Sequence, residues 1–492
     1  MLQDLKRLGK DSLIYGIGTV SRSLIGFILI PLYTRYLTTE EYGILALALV
    51  ALASLIILFE LGMSKALFRF YFEAENENDR NTVIGTCLLV LLIFGIPLLI
   101  LLFVFAPTGS RLALSSTQYS TFWILVSASA FIEALITLPY AVLRAKMRSR
   151  TYTVFFVLNL ILLVSLTSLF LVGLGGGING ILAARLLSSA VILLCFVPLL
   201  LRTTRFAPAR TLVRDLLLYG LPFVPLGLIG WGLRYINRYF LEHFTSLETI
   251  GIYSLGGQVG MAMIILVVSP FQLVWAPYKF IIAKGPRAQE KFSLFFTYFF
   301  FLTAFIGLGL SALAPEIVRI MSTPPYYQAG TIVPWIVLAY ILYGLSFNLN
   351  IGIDLKKKTY LLPLITGCGL LIGVICNYLL IPSYGMLGAA WAFAASYTVL
   401  PVLMYVICRH YYRINYEIWR LIHIAAAAGA LYLLARIIDG QAFSLGTTIG
   451  LKILIVVLFF PLLLATGFFS RRERTKIRKI WATRFLGQRS SP

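Results

Sequence analysis

Three arginines, Arg22, Arg185 and Arg234, stand well inside apolar stretches long enough to cross a lipid bilayer. A guanidinium at that depth costs about 2.5–3.5 kcal/mol on insertion scales, and it stays charged at any physiological pH. Two chemistries retain such a residue: an internal carboxylate partner, or an anion that the protein binds. Glu60 and Glu133 are acidic residues at depth, candidates for ion-pair partners or for ion coupling. Rise per residue places both in the half nearer the expected cytoplasmic side, with Arg22 near the midplane and Arg185 and Arg234 further out. Three positive charges against two carboxylates leave at least one arginine free to meet an anion. Arg22 is the strongest candidate for that role, and Arg185 is the one best suited to a structural ion pair.

The elements that position these residues are helices. Tyr15, Thr19, Arg22 and Gly26 follow 4-3-4 spacing and make one small and polar stripe. Gly227, Gly230, Arg234, Asn237 and Arg238 make a similar one, and Arg185 has Ser188 and Ser189 one turn on. The chain of 492 residues is 60% hydrophobic and 12% charged, with a mean hydropathy of +0.90, which excludes a soluble globule. Apolar windows of about 17–25 residues give fourteen predicted spans: residues 11–37, 41–61, 83–106, 119–142, 152–174, 178–201, 216–240, 250–275, 292–313, 330–353, 361–381, 386–408, 419–438 and 447–469. Leu, Ile, Val and Phe run all round these segments, the pattern of helices and not of barrel strands. The fold class is therefore an all-α polytopic membrane protein.

A net charge of +22 raises the question of a nucleic-acid partner, and the placement of the basic residues answers it. With the N-terminus inside, 32 of the 41 Lys and Arg fall on the cytoplasmic side, among them Arg144, Lys146, Arg148, Arg150, Lys356, Lys357 and Lys358. Arg35, Arg111, Arg238, Arg319, Arg436 and Lys452 fall at outer ends and loops. This is the positive-inside pattern with both termini cytoplasmic. The basic tail, residues 471–492, is read as lying on anionic lipid headgroups, with no nucleic-acid site. The first apolar segment carries Arg22 and lacks a cleavage site, so it is expected to stay as a helix. The five cysteines form no CxxC and the three histidines are scattered, which indicates neither a disulfide framework nor a metal site. No cofactor is implied.

An internal repeat divides the chain. Leu13-Ile14-Tyr15-Gly16 matches Leu217-Leu218-Tyr219-Gly220, and Leu24-Ile25-Gly26-Phe27 matches Leu228-Ile229-Gly230-Trp231. Gly177 and Gly180 recur as Gly385 and Gly388. An offset of six spans keeps the membrane orientation, so the halves form a parallel pseudo-repeat. The expected division is an N-terminal six-helix lobe (1–201), a basic linker (202–215), a C-terminal six-helix lobe (216–408), two additional helices (409–470) and the tail. Prolines 31, 97, 139, 222, 225 and 270 are expected to interrupt spans. Short extramembrane segments and the lack of a nucleotide-binding domain point to transport rather than to an ATP-driven pump or a loop-based membrane enzyme.

Leu61-Gly62-Met63-Ser64-Lys65-Ala66-Leu67-Phe68-Arg69-Phe70, Asn237-Arg238-Tyr239-Phe240-Leu241, Gly251-Ile252-Tyr253-Ser254 and Tyr384-Gly385-Met386-Leu387-Gly388-Ala389-Ala390 resemble the polysaccharide-biosynthesis flippases of the Wzx type. That family shares a superfamily with the MATE drug exporters and the lipid II flippase. The resemblance implies two lobes around a cationic cavity in a bacterial or archaeal cytoplasmic (inner) membrane. It implies as cargo an undecaprenyl-diphosphate-linked oligosaccharide, the repeat unit of O-antigen, capsule or exopolysaccharide, with polymerases and glycosyltransferases as candidate partners. It carries the substrate-binding role to Arg22, Arg69, Arg185, Arg234 and Arg238. One departure is Asn237, where many relatives have Asp. Two alternatives are a MATE-like cation or drug antiporter, which calls for buried carboxylates, and an oligosaccharide polymerase or ligase, which calls for longer outer loops.

Overall fold

Four of the described α-helices, at Thr39, Glu77, Leu247 and Leu445, start at a side-chain cap. The computed structural model describes residues 26–114, 116–207, 210–441 and 443–468. After α1 (residues 26–36), Thr38 accepts from the Glu41 N–H and gives its own N–H to the Glu41 carboxylate, and α2 (Thr39–Glu60) begins. There follow α3 (Met63–Glu73), α4 (Glu77–Val104, capped by Asn76), α5 (Ala106–Leu114), α6 (Ser120–Ala145), α7 (Ser149–Ser168), α8 (Gly177–Thr203) and α9 (Arg210–Gly220). Then come α10 (Phe223–Phe244), α11 (Leu247–Gly260, capped by Ser246), α12 (Ser269–Ala283), α13 (Ala288–Ala312), α14 (Ala314–Met321), α15 (Val333–Leu349) and α16 (Ile351–Leu355). The last three are α17 (Leu361–Tyr411), α18 (Ile418–Asp439) and α19 (Leu445–Ala465, capped by Ser444). There is no strand among the described residues, and twelve helical segments are long and apolar enough to cross a membrane. In the membrane-crossing windows, 22% of α4 is buried against 78% of the α15–α16 segment, so α15 is central and α4 offers most of its surface to lipid.

The 51-residue α17 contains the predicted eleventh and twelfth spans. Gly385 inside it takes φ +52°, ψ −126°, and the two arms fold back on each other. A Cβ on Gly369 would meet Leu400, one on Gly373 would meet Ser396, and one on Gly388 would lie 2.4 Å from the Leu380 oxygen. The earlier member of the repeated pair behaves alike. Gly177 takes φ +53°, and a Cβ on Gly180 would lie 3.0 Å from the Phe170 oxygen. Positive φ and backbone-to-backbone approach are what an L side chain resists, so the repeat in the sequence is a repeat of two tight helical corners.

The predicted seventh and eighth spans are interrupted at their prolines, and each break is also a helix start: Pro222 caps α10 after α9 ends at Gly220, Pro225 lies in the first turn of α10 and Pro270 opens α12. Three expectations are modified. Pro31, Pro97 and Pro139 lie inside the continuous helices α1, α4 and α6 and interrupt none of them. The basic connection after α8 folds into α9, whose Leu216 is fully buried among Met63, Leu67, Val83 and Ile84. Lys452, read at the outer end of a span, is in the first half of α19 and has no exposed surface.

Two faces can be told apart by charge. One carries the connections with Arg144, Arg148, Arg202, Lys356 and Lys357, and is called the basic face; the other is the far face. At the far face the first two helices are tied to the middle of the chain. Thr34 Oγ1 donates to the Met321 oxygen at 3.2 Å, Thr323 Oγ1 donates to the Thr34 oxygen at 3.0 Å, and Tyr326 Oη donates to the oxygens of Leu37 and Thr38. Thr39 Oγ1 donates to Glu248 Oε1 at 3.1 Å. Beside these bonds α2 and α11 cross in backbone contact. A Cβ on Gly43 would lie 2.0 Å from the Leu247 oxygen, and one on Gly251 would lie 2.0 Å from the Thr39 oxygen. This set of contacts is the far seal.

Candidate functional site

The polar stripe read on α10 faces a cavity of about 500 Å³. Gly227, Gly230 and Arg234 line it together with Trp231 and Tyr235. The other walls come from Ala53 and Ile57 of α2, Tyr343, Ser346 and Phe347 of α15, Asn350, and Leu362, Thr366, Tyr397, Leu400 and Met404 of α17. Asn350 and Leu362 stand at helix ends near the basic face, so the cavity extends toward that face while the far seal closes the other.

Arg234 is the single charged residue of this lining among the described residues, and it is exposed to the cavity. Its electrostatic neighbours are the phenols of Tyr397, Tyr235, Tyr340 and Tyr343, with no carboxylate among them. The rings hold one another edge to face: Tyr340 and Tyr397 at 6.1 Å, Tyr343 and Tyr397 at 5.6 Å, Tyr343 and Phe347 at 4.8 Å. Such packing fixes the rings so that hydroxyls and a cation are presented without rearrangement. Trp231 ties the wall to the N-terminal half, its Nε1 donating to the Val50 oxygen at 2.9 Å.

The other predicted site residues separate. Arg238, one turn past Arg234, turns toward α11: its Nε donates to Ser254 Oγ at 3.0 Å, and its guanidinium lies over Tyr235 at 5.2 Å and Tyr253 at 5.9 Å. Asn237 is buried and donates to the Tyr253 hydroxyl. Arg185 grips Glu133 with two bonds, Nε to Oε1 at 2.8 Å and Nη2 to Oε2 at 3.2 Å. Rise per residue alone places these two at different depths. Glu133 is thirteen residues past the start of α6 and Arg185 eight past the start of α8. Those five residues amount to about 7.5 Å of rise, a gap that a long arginine side chain and unlevel helix starts close. Glu60 ends α2 half-buried. Arg69 is half-exposed on α3 at the basic face, outside the lining, with its Nε donating to Glu73 at 2.9 Å and its guanidinium over Tyr219 at 4.7 Å. Arg22 lies outside the described residues.

Sequence reasoning missed the tyrosine ring and a buried charge cluster. Tyr340 and Tyr343 share a helix face at i, i+3, and with Tyr397 they are polar tips within predicted spans, which is the signal that was there to be used. Lys452 pairs with Glu316 at 2.7 Å and with Asp439, carboxylates far from it in sequence.

Helices throughout the described residues, a lipid-facing periphery and a cavity that carries Arg234 define an all-α polytopic membrane protein. The chain belongs to the polysaccharide biosynthesis protein family, whose sequence profile matches residues 8–282, more than half of its length. No curated protein sequence matches the chain. Among solved structures it is similar to the lipid II flippase MurJ in an inward closed conformation, with a TM-score of 0.74 at 15% identity over 92% of this chain and 99% of that one. It is also similar to an inward-facing multidrug resistance MATE family transporter of the MOP superfamily, with a TM-score of 0.63 at 17% identity over 79% and 94%. A Vibrio cholerae MATE transporter variant follows with a TM-score of 0.59 at 15% identity over 82% and 96%. At these identities the likeness is one of fold.

Proposed function

We propose that the protein is a flippase that moves an undecaprenyl-diphosphate-linked oligosaccharide, a repeat unit of O-antigen, capsule or exopolysaccharide, from the inner to the outer leaflet. The observation that carries this reading is Arg234: a fixed positive charge exposed in a cavity whose lining holds no carboxylate among the described residues. A guanidinium holds a diphosphate through paired, charge-assisted hydrogen bonds. The hydroxyls of Tyr343, Tyr397, Ser346 and Thr366 and the Asn350 amide offer donors and acceptors for sugars in the same cavity. About 500 Å³ is in the range of sites for drug-sized ligands, about 300–1,000 Å³, enough for the diphosphate and its nearest sugars while the lipid tail stays in the bilayer.

In this reading the basic face is cytoplasmic, both termini lie there, and the membrane is the bacterial or archaeal inner membrane. Lobes 1–201 and 216–408 rock about the cavity in alternating access. Arg22 joins Arg234 in receiving the diphosphate, with Arg238 behind it. Arg69 meets the headgroup at the basic face, and Arg185 contributes through its pair with Glu133. Outward movement of an anion in an inside-negative potential gains about 2.3 kcal/mol per charge per 100 mV, so the potential favours export. The MATE-like fold also suits a cation antiporter, and the cavity chemistry separates the two: among the described residues of the lining an organic cation has no carboxylate to meet beside Arg234.

The test is reconstitution in liposomes with a fluorescent undecaprenyl-diphosphate-linked oligosaccharide and a membrane-impermeant quencher. Transbilayer movement that depends on the protein and is lost in Arg234→Ala supports the reading. Uptake of a cationic drug with no movement of the lipid-linked sugar overturns it.

A further inference from the structure

Lys452 sits in the first half of α19 with no exposed surface, its Nζ 2.7 Å from Glu316 Oε1 and in contact with Asp439 Oδ1. Asp439 ends α18 and also receives Arg436 Nη1 at 3.3 Å. Glu316 is 3% exposed, and its second oxygen is buried without a hydrogen-bond partner. Lys452 therefore carries the compensation of that carboxylate. Buried ion pairs contribute little net stability relative to apolar packing, whereas the loss of one member is costly. Docking alone does not call for this cluster. Ile424 and Leu431 of α18 and Phe459 of α19 already pack on Ala304 and Leu308 of α13 in an apolar interface.

The other end of the link lies in α14. Glu316 is in the first turn of that short helix, and Met321 ends it about 7.5 Å away along the axis. Met321 accepts from Thr34, and Thr323 and Tyr326 just beyond bind the backbone where α1 turns into α2. A continuous chain of bonds thus runs from α19 through α14 to the far seal.

We infer that Lys452 is a positioning residue of the far seal: through Glu316 it sets α14, and α14 presents Met321, Thr323 and Tyr326 to the corner between α1 and α2. The two helices outside the internal repeat are by this route connected to the closure of the cavity's far side. The inference does not depend on what the cavity carries.

Hydrogen–deuterium exchange on the full chain in lipid nanodiscs tests it. Glu316→Ala leaves the pair of Lys452 with Asp439 and cuts only the link to α14. In that variant exchange rises about tenfold in peptides covering 314–331 and 34–43, as expected for a weakened local closure, while 445–465 stays at the wild-type rate. Lys452→Met produces the same rise at 34–43, and Lys452→Arg, which keeps the charge, restores most of the protection. Unchanged exchange at 34–43 in Glu316→Ala overturns the inference and leaves the cluster as an anchor of α19. If Lys452→Met does not fold, Glu316→Ala alone decides the matter. A failure of lipid-linked sugar transport in the wild-type protein has no bearing on either outcome.

Discussion

Arg234 and Arg185 are both arginines at membrane depth, and their surroundings predict opposite phenotypes. In the cavity, a diphosphate held by the two prongs of Arg234 gains two charge-assisted hydrogen bonds of about 1.5–3 kcal/mol each. Removing both in Arg234→Ala is a loss of about 3–6 kcal/mol, or about 10²- to 10⁴-fold in affinity or transport efficiency. Arg234→Lys keeps the charge and gives up the fork, so its loss is about 10- to 100-fold. Stability moves the other way. Among the described residues the neighbours of Arg234 are phenols, and no carboxylate is stranded when it goes. The melting temperature of Arg234→Ala in detergent is therefore expected to equal or exceed that of the wild type, because a charge that is costly at depth has been removed. The assay pairs two readouts on one preparation: quencher-resolved flipping of fluorescent lipid-linked oligosaccharide in liposomes, and thermal unfolding by intrinsic fluorescence. Normal flipping by Arg234→Ala, or a drop in its melting temperature as large as that of an Arg185 variant, would refute the assignment of Arg234 to the cargo.

Three further expectations follow from the same geometry. Arg185→Gln leaves Glu133 without its two donors inside the bundle, a loss of about 3–5 kcal/mol, and Arg185→Gln with Glu133→Gln recovers most of it; a double variant no more stable than the single one contradicts the pairing. Gly251→Ala places a Cβ 2.0 Å from the Thr39 oxygen and spreads the far ends of α2 and α11, which is checked by faster maleimide labelling of a cysteine introduced at the buried Thr39 in a background without the five native cysteines. Unaltered labelling speaks against the glycine crossing as a closure. Because the cavity's charge is a guanidinium and its lining lacks carboxylates among the described residues, binding of the lipid-linked diphosphate is expected to be flat from about pH 6 to about pH 9. A titration midpoint in that interval points to a group outside the lining.

The helices were legible because lipid imposes a single requirement on every backbone group, and long apolar windows satisfy it only as helices. The repeat was legible at Gly177, Gly180, Gly385 and Gly388 because tight corners tolerate few residues. It was hidden at Gly43 and Gly251, where nothing in the sequence says that two glycines 208 positions apart lie against each other's helices. The Arg234 stripe on α10 could be read from periodicity, since a helix face is a local property. The ring of Tyr340, Tyr343 and Tyr397 around it could not, since it is assembled from α15 and α17 and tyrosine is common in this chain. Depth counting failed for Arg185 and Glu133 by about the length of one side chain. It failed for Lys452 for a different reason: its partners Glu316 and Asp439 lie at the ends of other helices, and a residue near a span boundary reads as solvated until those ends are placed.

The crossing of Gly43 with Gly251 joins main chain to main chain, where no rotamer intervenes. A barrier built from side chains loosens by degrees as those side chains exchange conformers. One built from peptide groups at fixed separation has two conditions only, touching or parted, and the covalent chain carries each helix along as a body. This crossing also makes no chemical distinction among cargoes, because the atoms that meet there are main-chain atoms. Under the proposed function, recognition is thereby confined to the other end of the molecule, and substitutions around Arg234 are expected to change the cargo while the backbone crossing on the far side is left as it is.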